Sequence, residues 1–149
     1  MEKLYKDSKS SGFTLIELLV VVAILGIIAA IGISSYNGYV SGTKQKSVEN
    51  AMMQMSLGQT EYYSNNGYYY PQKTSNNCSP NSTTTTDIEK KLLGDGTTGP
   101  DVIPDDLGYN VCIWRSSTGN YGIVAKQDGS NPCEIKMSDM GTYTRNNNC

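Results

Sequence analysis

Gly12-Phe13-Thr14-Leu15-Ile16-Glu17 opens a run that continues as Leu18-Leu19-Val20-Val21-Val22-Ala23-Ile24-Leu25-Gly26-Ile27-Ile28-Ala29-Ala30-Ile31-Gly32-Ile33. Between Phe13 and Ile33 only Thr14 and Glu17 are strongly polar. A cleaved secretory signal has an apolar core of about 7–15 residues followed by a small-residue cleavage site. This run is longer, and its one exit of that kind is Gly32-Ile33-Ser34-Ser35. A buried helix of a soluble domain is rarely so uniformly apolar. A helix crossing a hydrocarbon layer of about 30 Å needs about 20 such residues, and that reading fits best.

The preceding residues, MEKLYKDSKSSG, set Lys3, Lys6 and Lys9 against Glu2 and Asp7, a net charge of +1. A cationic N-terminal flank places that end in the cytoplasm and the residues after 34 outside. Glu17 is the exception in the run. A carboxylate in a membrane helix costs about 2.5–3.5 kcal/mol at the centre and less near an interface. Glu17 either reaches the headgroups or awaits a cationic partner, and position alone leaves both readings open.

The surrounding motif separates them. Gly before Phe, then Thr-Leu-Ile-Glu and an apolar run containing Gly26, resembles the class III signal of type IV pilins and pseudopilins, closely over residues 12–40. The resemblance implies that a prepilin peptidase at the inner membrane cuts between Gly12 and Phe13 and that Phe13 is then N-methylated. It implies that Glu17 neutralises the N-terminal amine of a neighbouring subunit during assembly. The domains expected are a leader, 1–12, a transmembrane and filament-core helix segment, 13–34, and a head, 35–149. The mature chain would carry nine basic and twelve acidic side chains, a net −3. Relatives often have a proline where this chain has Ser34. Without it the first helix is expected to be straighter, with Gly26, Gly32 and Gly38 as places for local melting.

Beyond the membrane run, Tyr36, Val40, Val48, Ala51, Met52, Met55 and Tyr62 recur mostly at helical spacing. Lys44, Gln45, Lys46, Glu49, Asn50 and Gln54 are assigned largely to the other faces. This predicts an amphipathic helix laid on a domain and stopped by Ser64-Asn65-Asn66-Gly67. Residues 72–108, with Thr83-Thr84-Thr85-Thr86, read as loop. Within them Asp87 is expected to cap a short helix from Ile88 to Leu93. Strands are predicted at Tyr109–Arg115, Tyr121–Lys126, Cys133–Met137 and Gly141–Thr144, separated by turn residues. The expected fold class is α+β: a long N-terminal helix packed on a small antiparallel sheet, which is also the pilin head that the resemblance implies.

Cys78, Cys112, Cys133 and Cys149 all follow the apolar run and contain no C-x-x-C pair. An even count in a small domain suits two disulfides in an oxidising compartment. Three pairings are possible, and Cys78–Cys112 with Cys133–Cys149 is the one expected. Cys78–Cys112 would tie the long loop to the first strand. Cys133–Cys149 would tie the tail to the third strand and resembles the C-terminal disulfide loop of many pilins.

The chain has no histidine, which excludes a Ser-His-Asp triad and any His-ligated metal. No catalytic constellation, cofactor motif or metal loop is present; the spacing of Asp95, Asp101, Asp105 and Asp106 is not that of an EF-hand. The expected function is a structural subunit of a type IV pilus serving adhesion, twitching motility or DNA uptake. Its partners would be other pilin subunits, the prepilin peptidase and the inner-membrane assembly machinery. It would stand in the inner membrane before assembly and in an extracellular filament afterwards. The alternatives are a minor pilin that binds DNA or a surface, and a type II secretion pseudopilin. DNA is not favoured: Lys90, Lys91, Arg115, Lys126, Lys136 and Arg145 would have to cluster on a net-negative head.

Overall fold

Helix α1 runs Leu15–Asn66 in the computed structural model, which describes residues 12–71, 75 and 77–149. The expected leader thus lies outside the described residues except for Gly12, as do loop residues 72–74 and 76. The helix is unbroken at Ser34, where no proline removes a backbone donor. It stops at Gly67, whose φ of 76° suits a residue without Cβ and whose N–H bonds Tyr63 O at 2.8 Å.

Contacts divide the chain between Ser41 and Gly42. In the first unit the apolar part of α1 is long enough to cross a membrane, and none of its most apolar stretch is buried. Leu15 is 89% exposed and Ile31 67%.

The second unit holds the core. Helix α1 contributes Val48, Ala51, Met52 and Met55, which repeat at three and four residues and form its buried stripe. Tyr36, expected on that stripe, is exposed. Strands β1 (Tyr109–Arg115), β2 (Tyr121–Gln127), β3 (Glu134–Ser138) and β4 (Tyr143–Arg145) form an antiparallel sheet in the order β1-β2-β3-β4. Register places Ile113 opposite Ile123 and Ile123 opposite Met137, so alternate side chains of three strands enter the same core. On the other face Trp114 lies opposite Gly122. A Cβ at Gly122 would come 2.5 Å from the Trp114 ring, so the glycine makes room for the indole.

Helix α2, Ser82–Lys91, corrects two expectations. The threonine run is helical rather than loop, and the cap is Asn81 rather than Asp87. Asn81 Oδ1 accepts the Thr84 N–H at 2.9 Å, and Thr84 Oγ1 accepts the Asn81 N–H at 3.0 Å, a closed capping box. The same threonines seal an edge of the sheet. Val111 N–H donates to Thr85 Oγ1 at 3.0 Å, and Thr84 Oγ1 donates to Val111 O at 2.6 Å. Backbone groups of β1 that would otherwise face an open edge thus end on α2.

Glu49 corrects the helix-face assignment. It is 8% exposed rather than on a solvated face. Gln59 is fully buried as well, and its side-chain amide brackets Tyr70, donating to Tyr70 O at 2.7 Å and accepting Tyr70 N–H at 2.8 Å. Around that bracket Tyr62 meets Tyr68 and Tyr70 edge-on, and Tyr69 lies between Tyr63 and Tyr121. Ring contacts extend a core that has few large aliphatic residues.

Candidate assembly site

The start of α1 is built by two residues of the motif. Thr14 stands just before the first helical residue, and Glu17 is three positions on. Thr14 N–H donates to Glu17 Oε2 at 2.9 Å, Thr14 Oγ1 donates to the same oxygen at 2.7 Å, and Glu17 N–H donates to Thr14 Oγ1 at 3.3 Å. This is a reciprocal capping box, and the signal for it, Thr-x-x-Glu before an apolar run, stands in the sequence. The sequence reading recognised Glu17 but not its bond to Thr14.

The arrangement explains how one carboxylate is tolerated at the head of an apolar rod. An unsatisfied charge moved out of water is expensive, whereas one that accepts two hydrogen bonds at the positive end of a helix is partly compensated. All of that compensation falls on Oε2. Among the described residues Oε1 accepts no hydrogen bond, and no cation is paired with Glu17. Phe13, Ile16, Val20 and Val21 flank the carboxylate on the exposed helix surface. The Thr14 amide that holds Oε2 is one residue along from the Phe13 nitrogen, so the bond does not use the peptide between Gly12 and Phe13. A carboxylate with a vacant oxygen in an apolar wall can accept a cation or a further donor.

The other site residues lie in the second unit. Disulfides join Cys78 to Cys112 and Cys133 to Cys149. The six cations considered for DNA are spread over α2 and all four strands. Lys91 pairs with Asp87 at 2.8 Å, Lys136 with Glu134 at 2.9 Å and Arg145 with Glu49, while Arg115 lies 5.0 Å from the centre of the Tyr68 ring. Asp95 is consumed locally. Its carboxylate accepts the amides and hydroxyls of Thr97 and Thr98, which hold it well below the usual carboxylate range. Among the described residues no three of Cys, Asp and Glu gather as metal ligands do.

The prokaryotic N-terminal methylation motif matches residues 7–33. Over 54 residues the chain is 43% identical to the fimbrial protein EcpC of Eikenella corrodens, covering 36% of this chain and 35% of that one. Over 37 residues it is 57% identical to the type IV major fimbrial protein FimA of Dichelobacter nodosus, covering 25% and 23%. Over 58 residues it is 36% identical to the type IV major pilin protein PilA of Myxococcus xanthus, covering 39% and 26%. The matched stretch spans between about a quarter and a third of these relatives' length. No solved structure matches the chain. The methylation motif, these likenesses and the long helix joined to a four-stranded antiparallel sheet together support a type IV pilin.

Proposed function

We propose that this chain is the structural subunit of a type IV pilus, cut between Gly12 and Phe13, N-methylated on Phe13 and polymerised through the apolar part of α1. The observation that carries the reading is an apolar helix that, among the described residues, has no side-chain cover and whose one carboxylate accepts both its hydrogen bonds on Oε2, beside the prospective N-terminus. Cleavage creates an ammonium on Phe13. In a low-dielectric bundle two such charges are costly apart, and a register that pairs Glu17 of one subunit with the amine of the next removes the cost. The pair sets axial register more than it adds bulk stability.

Before assembly the apolar stretch holds the subunit in the inner membrane. Afterwards the same stretch lies in the core of an extracellular filament serving adhesion, twitching motility or DNA uptake. Two disulfides in the second unit support an oxidising location for it. The test is the Glu17→Ala variant expressed in a piliated host. Membrane insertion should persist while sheared filament yield falls sharply or assembly slows. Normal filament yield from that variant would remove the pairing role.

A further inference from the structure

Beside the apolar core that Ile135 and Met137 share with α1 and that Tyr143 packs against, polar bonds from Gln45 and Glu49 join the helix to the C-terminal residues of the second unit. Arg145 Nε donates to Glu49 Oε1 at 2.8 Å, and its Nη2 bonds the same oxygen. Lys46 Nζ donates to Glu49 Oε2 at 2.9 Å. Tyr143 Oη donates to Glu49 O at 3.0 Å, and Gln45 Nε2 donates to Cys149 O at 3.1 Å. Among the described residues the charged and titratable groups beside Glu49 are Lys46 on α1 and Arg145 on β4, which bond its carboxylate, and Tyr143 on β4, which bonds its backbone carbonyl. The two ends of the main ion pair differ: the Glu49 side chain is 10% exposed, that of Arg145 41%.

Strand β4 is short and fixed at both ends. Three of its residues pair with β3, against five pairs between β2 and β3 and seven between β1 and β2. Before it, Thr142 O accepts Ser138 N–H at 3.0 Å in a turn where Gly141 has a φ of 77°. After it, Asn146 Oδ1 accepts Glu134 N–H at 3.0 Å, Asn146 Nδ2 donates to Pro132 O at 2.9 Å, and Cys149 is bonded to Cys133. A segment retained at both ends, whose last residue is clasped by one carboxylate and whose first bonds the same residue's backbone carbonyl, has the build of a strap.

We infer that Tyr143–Arg145 is a latched strap, held against α1 by the Glu49 carboxylate, which opens locally when that carboxylate loses its charge while β1, β2 and β3 stay folded. The strap cannot leave, because the turn and the Cys133–Cys149 bond retain it. Opening bares the backbone edge of β3 from Ile135 to Met137, which is a template for strand pairing. Arg145 already reaches water, so moving outward strands no buried cation. Burial alone would raise the Glu49 carboxyl, but the bonds and charges of Lys46 and Arg145 outweigh it and hold it below the ordinary value. The latch is therefore closed above the unfolded carboxylate value of about 4.3 and is lost as pH falls through the lower folded one.

The test is hydrogen exchange with mass detection on the full chain in detergent micelles. In Glu49→Gln at neutral pH, peptides covering Tyr143–Arg145 should exchange about tenfold faster or more, with β1 and β2 peptides unchanged. Wild type in acid, corrected for intrinsic exchange, should show the same local opening, and Glu49→Gln should show no further acid response. Unchanged exchange over Tyr143–Arg145, or equal acceleration across all strands, would overturn the latch. If Glu49→Gln does not fold, Arg145→Ala removes the clasp from the exposed side and must give the same local pattern, or the inference fails.

Discussion

Replacing Thr85 with valine keeps the side-chain shape and deletes one oxygen at the junction of α2 and β1. Thr85 Oγ1 accepts the Val111 N–H at 3.0 Å in a buried position and donates to Asn81 O at 3.0 Å. The second loss is cheap, because Asn81 O also accepts the Thr85 backbone N–H at 3.0 Å. The first is not, because Val111 is fully buried and its amide has nowhere else to turn. An unsatisfied buried donor costs about 1–3 kcal/mol. A loss of about 2 kcal/mol in a unit of this size lowers the melting temperature by roughly 8–12 °C. Thermal melts in detergent, followed by fluorescence of the single tryptophan, Trp114, would read it, since Trp114 lies on the same strand. Thr86→Val, at an exposed position one residue along, should move stability by no more than about 0.5 kcal/mol. Faster exchange of the Val111 amide should accompany the drop. A Thr85→Val protein as stable as wild type would refute the claim that α2 exists to seal this edge.

Other outcomes follow from the same geometry. Gly122→Val should displace the Trp114 ring, shift its fluorescence and cost about 1–3 kcal/mol, because the added Cβ would come 2.5 Å from the indole. Tyr70 is pushed up to about 12, first by burial and then by the charges of Asp87 and Tyr62. Unfolded tyrosine releases its proton near pH 10, so stability should be full below about pH 10 and decline from there toward 12; Tyr70→Phe should flatten that decline in denaturant melts. Gly12→Val should leave the precursor uncut, visible as an intact mass that retains the first twelve residues.

Strands were legible where composition and alternation agreed. Tyr109-Asn110-Val111-Cys112-Ile113-Trp114-Arg115 is β-branched and aromatic at the right period, and its predicted bounds coincide with β1. Helix α2 was not, because Ser82-Thr83-Thr84-Thr85-Thr86 has poor helix propensity and reads as loop. What stabilises it is tertiary: Thr84 and Thr85 bond Val111 across 27 and 26 residues of chain. The local clue was the Asn81-x-x-Thr84 cap. Glu49 was hidden for the same reason, since its cationic partner Arg145 is 96 residues away. At the candidate site Glu17 stood out as a lone charge. Its hydroxyl partner was equally present as Thr-x-x-Glu, but a capping box is easily overlooked where a membrane span is the stronger signal.

The most direct measurement is the intact mass and N-terminal sequence of the subunit in filaments sheared from cells. A chain beginning at Phe13, carrying one methyl group on its amine and both disulfides, is the expected product. A mature protein that starts near Ser35, or that occurs solely as a dissolved monomer, would contradict the retained, polymerising helix on which the function rests.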